Sequence, residues 1–297
     1  MNNMQYSIKD LEKLSSIKAH TIRIWEKRYQ IIKPDRTETN IRYYDDEDLR
    51  HLLNISVLVQ NGIKISHIAM LNPSEIKEKA FFFLQNNNDN DNLIKNLILS
   101  MIEINEAKFE KTLTKSILNI GFEKTMIQLI YPFLKQIGVM WQTGSINPAQ
   151  EHFISSLIRQ KLIVSIDGIE QLPTKNTKRF TLFLPEGEMH ELGLLFYAYI
   201  LKSRGHEILY LGQSTPLESV VESCQIWKTD YLLLFIVSLF SGISYQKYLQ
   251  ELSANFKTKK IIIAGGISDN ISFTIPSNIQ SVKNASDFIS LVNALNT

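Results

Sequence analysis

A change of hydrophobic period near residue 178 constrains this chain more than any other feature. Downstream of it, Phe180–Leu184, Ile208–Leu211, Tyr231–Leu239 and Lys260–Ala264 are short apolar runs, partly β-branched and separated by helix-length patterns. Strands apolar on both faces, each followed by a helix, predict a parallel sheet wrapped by helices, because parallel strands need crossovers and the crossovers cover both faces. Upstream the period is helical. Leu93, Ile94, Leu97, Ile98, Met101 and Ile102 recur at the three-and-four spacing of a helix stripe, as do Ile127, Ile130, Leu134 and Ile137, which predicts a small bundle. Asn147 followed by Pro148 is an N-cap and first helical residue, placing Glu151 and His152 in the first turn of a further helix.

Two polar, low-complexity stretches, Gln85–Asn92 and Pro173–Lys178, offer nothing to pack and divide the chain. The expected units are 1–84, 91–170 and 178–297, in a multidomain protein of α and α/β class. With 297 residues, 44% of them hydrophobic, the chain has enough apolar material to bury a core in each. A single cysteine, Cys224, excludes an internal disulfide framework, and no Cys/His tract has structural-zinc spacing. The longest apolar stretch, Leu232–Phe240, is too short to span a bilayer, so the expected compartment is the cytoplasm, without membrane contact.

The net charge of +2 announces no nucleic-acid partner, so a DNA-binding surface must come from local clustering. Such a cluster exists. Ile8–Leu14, the pair Ser15 and Ser16, and Lys18–Tyr29 predict two short helices joined by a tight turn. Between Lys18 and Tyr44 seven cations face three carboxylates, an excess of four, where a recognition helix would sit. Arg36–Tyr44 is polar and then alternating, which suits a two-stranded wing with Arg42 and Tyr43 placed to touch phosphate and sugar. Asp45–Asp48 then supply the negative charge that a helix N-terminus favours. The expected DNA-binding residues are Lys18, His20, Thr21, Arg23, Arg28, Tyr29, Arg42 and Tyr43, with Ile22, Ile24 and Trp25 as packing residues and no catalytic residue.

Over Tyr6–Asp48 the sequence resembles the MerR winged helix-turn-helix domain, particularly the subgroup with a Trp-Glu-Lys/Arg-Arg-Tyr segment, here Trp25–Tyr29. The resemblance implies a transcriptional regulator that binds double-stranded DNA at a palindromic operator as a homodimer or higher homo-oligomer.

The second informative segment, Leu184–Gly193, falls where a predicted strand ends and a helix begins, the edge at which open α/β sheets bind ligands. A neutral imidazole there can ligate a transition metal, and a carboxylate two residues earlier can accept its other ring proton and orient it. His190 is therefore the candidate metal ligand, with Glu188 as its orienter. Glu188–Gly193 resembles the Asp-x-His-x-x-Gly signature of cobalamin-binding domains, with Glu in place of Asp. Ser238 and the pair Gly265 and Gly266 follow the third and fourth predicted strands, where that family has its Ser-x-Leu and Gly-Gly elements, although Phe240 stands where Leu is usual. The likeness implies a Rossmann-like (flavodoxin-like) sheet, with His190 as lower axial ligand to cobalt and the base tail entering between Ser238 and the glycines.

Trp141, followed after nine residues by Glu151 and His152, resembles the helical cap of cobalamin-dependent photoreceptor repressors of carotenoid genes in the MerR family. There a Trp and a Glu-His pair enclose the upper face of adenosylcobalamin; methylcobalamin is a second candidate ligand. Gln142 stands where those photoreceptors carry a His that captures cobalt after light, and an amide is a poor cobalt ligand. The combined implication is a ligand-controlled repressor. Two alternatives remain open at this stage: a regulator whose cobalamin-like module binds no corrinoid and serves oligomerisation or another signal, and a corrinoid methyl carrier, which shares bundle and sheet. Against the carrier, the chain has no barrel-sized partner domain, and a winged helix has no use in methyl transfer.

Overall fold

The structure, a computed structural model, describes residues 6–36, 40–86, 90–142, 146–170, 176–237, 245–265 and 275–295. The chain forms two compact units, Met1–Leu157 and Ile158–Thr297, with the division inside a helix.

The first unit opens with α1 (Ile8–Ser15) and α2 (Ala19–Tyr29). A capping box starts α1: Ser7 Oγ accepts from Asp10 N, and the Asp10 carboxylate accepts from Ser7 N at 2.9 Å. The two-stranded wing follows as β1 (Asp35–Arg36) antiparallel to β2 (Arg42–Tyr43), then α3 (Asp46–Gln60), which Asp45 caps through Glu47 N and Asp48 N. Next come α4 (Ile65–Ile68), α5 (Pro73–Asn86), α6 (Asn90–Ile102) and α7 (Glu106–Ile120). The polar stretch between α5 and α6 is shorter than the sequence implies, since helix reaches Asn86, resumes at Asn90, and buries Asn92. Residues 87–89 lie outside the described residues.

α6 buries the whole expected stripe from Leu93 to Ile102. The next stripe is corrected. After α8 (Phe122–Thr125) one π-helical turn, Met126–Ile130, leads into α9 (Tyr131–Gln142). A wider turn shifts the facing of everything after it. The buried residues are accordingly Met126, Leu129, Ile130, Phe133, Ile137 and Met140, while Ile127 and Leu134 are only half-buried. α10 (Pro148–Asp167) starts where the sequence places it: Asn147 Oδ1 accepts from Ala149 N at 2.9 Å, and Gln150 Oε1 accepts from Asn147 N at 3.1 Å.

The second unit is a doubly wound sheet. Its elements are β3 (Arg179–Pro185), α11 (Glu191–Ser203), β4 (Glu207–Thr215), α12 (Leu217–Trp227), β5 (Tyr231–Phe235), α13 (Tyr245–Asn255), β6 (Lys260–Ala264), β7 (Ile279–Ser281) and α14 (Ala285–Leu295). The strands are all parallel in the order β4-β3-β5-β6-β7. Counted along the unit this is 2-1-3-4-5, the flavodoxin-like order, and it reverses direction between β3 and β5. Leu232, Leu234, Ile261 and Ile263 pack in one layer with Val220, Leu249 and Leu252 of α12 and α13. In the α11 layer, Tyr197 lies 4.4 Å (ring centroids) from Phe288 of α14 and 5.5 Å from Phe235. Of the expected run Tyr231–Leu239, Tyr231–Phe235 is strand, Ile236 and Val237 are not, and residues 238–239 lie outside the described residues; β7 was not anticipated. Among the described residues, no helix is long and apolar enough to cross a membrane.

Candidate functional site

The turn before α2 is built from side chains. Ser16 adopts the left-handed region (φ 61°), Ser15 Oγ donates to Leu11 O at 2.6 Å, and Ile17 N donates to Ser15 Oγ at 3.2 Å. Glu12 receives Ala19 N at 3.2 Å and pairs with Lys18 at 3.3 Å, so Lys18 is the N-cap of α2 rather than part of its first turn. Ile22 and Trp25 are buried with Leu11 and Leu14, which fixes the opposite face of α2 outward. That face carries His20, Arg23, Lys27 and Arg28, all exposed. Thr21 and Tyr29 are half-buried, and the Arg28 guanidinium lies 5.4 Å from the Tyr29 ring centroid.

Ile24 departs from its expected packing role. It is 52% exposed. At about 100° per residue it points away from Ile22 and Trp25 and emerges among the cations.

The wing is tied to α2 through Glu26, which the sequence reading counted only as a charge. Its carboxylate accepts the Tyr44 hydroxyl and pairs with Arg42 Nε at 3.4 Å. Burial and the adjacent carboxylate raise the Tyr44 phenol well above its ordinary pKa, so it stays a donor. Tyr44 also pairs with Tyr6 by two backbone bonds, at 2.8 and 3.0 Å. Arg42 thus faces Glu26 with 38% of its side chain exposed, and Tyr43 is half-buried. Arg36 Nη1 donates to Asn40 Oδ1 at 2.6 Å at the base of the wing tip; residues 37–39 lie outside the described residues.

In the second unit, the loop after β3 holds one buried carboxylate among convergent donors. Glu188 is 1% exposed; Oε1 accepts from Met189 N at 2.9 Å and His190 N at 3.0 Å, and Oε2 accepts from Val237 N at 2.9 Å. His190 Nδ1 sits 2.5 Å from Glu188 Oε1. A carboxylate at that distance accepts a hydrogen bond from Nδ1–H and leaves the Nε2 lone pair as the ring's donor to a metal. The loop is pinned from β4: Ser214 N donates to Glu188 O at 3.2 Å, and Gln213 Nε2 donates to Met189 O at 2.6 Å. Because Val237 follows β5, Glu188 bridges the two strands between which the sheet order reverses. The His190 side chain, 59% exposed, therefore sits on a fixed mount at the ligand-binding edge.

The glycines serve packing first. A Cβ on Gly193 would stand 2.1 Å from the Phe235 ring, so Gly193 lets α11 approach β5. Gly265 has φ +109°, and a Cβ there would meet Ile236 O at 2.1 Å. Ser238 and Gly266 lie outside the described residues. Glu191, next to His190, accepts from Arg159 of α10, 32 residues earlier, a contact that no local motif signals.

Of the expected cap residues, Trp141 on α9 is 50% exposed, and His152 Nδ1 lies 3.0 Å from Glu151 Oε2 in the first turn of α10. All three belong to the first unit, His190 and Glu188 to the second. Among the described residues no group of three His, Cys, Asp or Glu is able to hold a bare metal ion. One oriented imidazole instead suits a metal that arrives with most of its ligands, as cobalt does in a corrin ring, so the donor set fits that group.

A basic helix-turn-helix with a wing, followed by a helical bundle and a flavodoxin-like sheet with a mounted histidine, defines a DNA-reading head joined to a corrinoid-type module. Residues 6–75 match the MerR HTH regulatory family, and residues 93–164 match the B12 binding domain. Residues 6–75 are thus similar to MerR helix-turn-helix domains and residues 93–164 to B12 binding domains, and over most of its length the chain is similar to two repressors of Myxococcus xanthus. It is 25% identical to the HTH-type transcriptional repressor CarH over 258 residues, covering 85% of each chain. To CarA, of the same description, it is 23% identical over 294 residues, covering 98% of this chain and 97% of that protein. The fold is also that of the monomethylamine corrinoid protein of Methanosarcina barkeri, with a TM-score of 0.53 and 18% identity over 70% of this chain and 99% of that one.

Proposed function

We propose that the chain is a cytoplasmic repressor that binds a palindromic operator as a homodimer or higher homo-oligomer, with its hold on DNA set by cobalamin. The observation that carries this reading is the buried Glu188 carboxylate aimed at His190 Nδ1, in a chain whose first unit presents a basic recognition helix and wing. Similarity to CarH and CarA over most of the chain supports the regulatory output.

In the proposed site His190 would ligate through Nε2, and Glu188, accepting the Nδ1–H, would fix the ring's tautomer and orientation. By the family likeness, Gly265, Gly266 and Ser238 would contact the nucleotide tail, and Trp141, Glu151 and His152 would contact the cofactor. Gly193 contributes by letting α11 lie close to the sheet. Bound there, the group would supply a cobalt centre able to exchange a ligand, with His190 as the protein's donor to it. The chain responds only to the extent that its DNA-binding and released forms differ in affinity for that ligand.

The test is spectroscopic. Adenosylcobalamin or methylcobalamin is added to the purified chain in the dark, the mixture is desalted, and the visible spectrum is recorded. Retained colour is expected, and His190→Ala should shift the cobalt bands or abolish retention. A colourless protein would favour the corrinoid-free platform, and an unchanged His190→Ala spectrum would remove His190 from the metal.

A further inference from the structure

Ile24 occupies a position for which packing gives no account. On α2 the buried arc is set by Ile22 and Trp25. At about 100° per residue, Ile24 falls near the middle of the opposite arc, with His20 and Lys27 on one side and Arg28 on the other. These neighbours are exposed, as is Ile24 at 52%. A β-branched aliphatic side chain flanked by Lys27 and Arg28 does not suit a protein or membrane partner, because an apolar surface would strip water from those charges. It suits a polyanion that also shows apolar groups. Duplex DNA is that partner: phosphates flank the major groove, and the thymine 5-methyl is the apolar group the bases display within it.

We propose that Ile24 is a base-reading residue that packs against a thymine methyl in the major groove, while its cationic neighbours hold the phosphates on either side. This rests on the DNA-binding reading above and adds to it the source of sequence preference at one position. The cations fix depth and orientation without discriminating among bases, whereas a methyl-to-isoleucine contact separates thymine from cytosine.

The full-length chain is first used to select bound sequences from a random duplex library, and the recovered site is then resynthesised with each thymine replaced singly by deoxyuridine, which lacks only the methyl. For at least one thymine, the wild-type chain should lose about fourfold in affinity, the equivalent of one buried methyl group at about 0.8 kcal/mol. Ile24→Ala should bind the thymine and uracil duplexes equally, and Ile24→Val should restore part of the preference. Ile226→Ala, which removes an 86%-exposed isoleucine on α12, should leave it intact. Thermal melts of the variants check that the fold is kept. If a site is recovered but no thymine shows methyl dependence, or if Ile24→Ala keeps it, the assignment of Ile24 is overturned while DNA binding stands. If the library yields no enriched site, DNA binding itself fails, and Ile24 with it.

Discussion

Gly193 and Glu188 do their work through what surrounds them. Gly193 sits two residues into α11, where the Phe235 ring occupies the space that any Cβ would need. Gly193→Ala forces that ring out of its edge-on contact with Tyr197. The expected cost is about 1–3 kcal/mol of stability, as for other overpacked sites. Urea unfolding of the second unit measures it, and a midpoint equal to wild type would show that the ring moves freely. Glu188 differs in kind. Three backbone N–H groups and one imidazole meet a carboxylate that water barely reaches, so the loop that carries His190 is organised around a single charge. That arrangement keeps the imidazole in one tautomer and one orientation before any ligand arrives.

At the scale of elements, α2 and the wing are one device because Glu26 on α2 holds both Arg42 and Tyr44. The pairing separates two arginines that look alike in the sequence. Arg23 projects from an exposed face, so Arg23→Ala should remove one phosphate contact and lower the slope of log affinity against log salt by about one. Arg42→Ala also leaves the largely buried Glu26 carboxylate without its counter-charge, so it should weaken binding more than Arg23→Ala does. Fluorescence anisotropy across a salt series with both variants decides the order. Equal losses would mean that Arg42 leaves Glu26 when DNA is bound.

At the scale of the whole molecule, the acid sensitivity of the second unit is read at His206. It is fully buried just before β4, and burial, with Lys178 and Arg204 nearby, lowers its pKa below the ordinary value near 6.5. A base whose folded pKa is depressed binds its proton more readily when unfolded. Its contribution is therefore complete above about pH 6.5 and is lost as pH falls towards the folded value. Amide exchange over β3 and β4 should accelerate on going from neutral pH to about pH 5, and His206→Gln should remove part of that dependence. Exchange independent of pH, after correction for the intrinsic rate, would mean that folding leaves the His206 pKa where it lies in the unfolded chain.

The sequence by itself determined much of this protein. Element types follow from period, as with β6 and the α6 stripe; helix starts follow from capping chemistry at Ser7, Asp45 and Asn147; and the positions of a basic head and a mounted histidine follow from local motifs. These are short-range properties, fixed by neighbours within one or two turns. What only the tertiary structure decided depends on partners distant along the chain. The π turn in front of α9 re-faced a helix whose residues spell an unbroken stripe. Ile24 proved exposed because Ile22 and Trp25 already fill the interior side of α2. The donor from Val237 to Glu188, 49 residues apart, exists only because β3 and β5 lie side by side in the sheet. A one-dimensional pattern encodes which residues prefer burial, but which of them find room, and beside whom, is settled by packing the elements together.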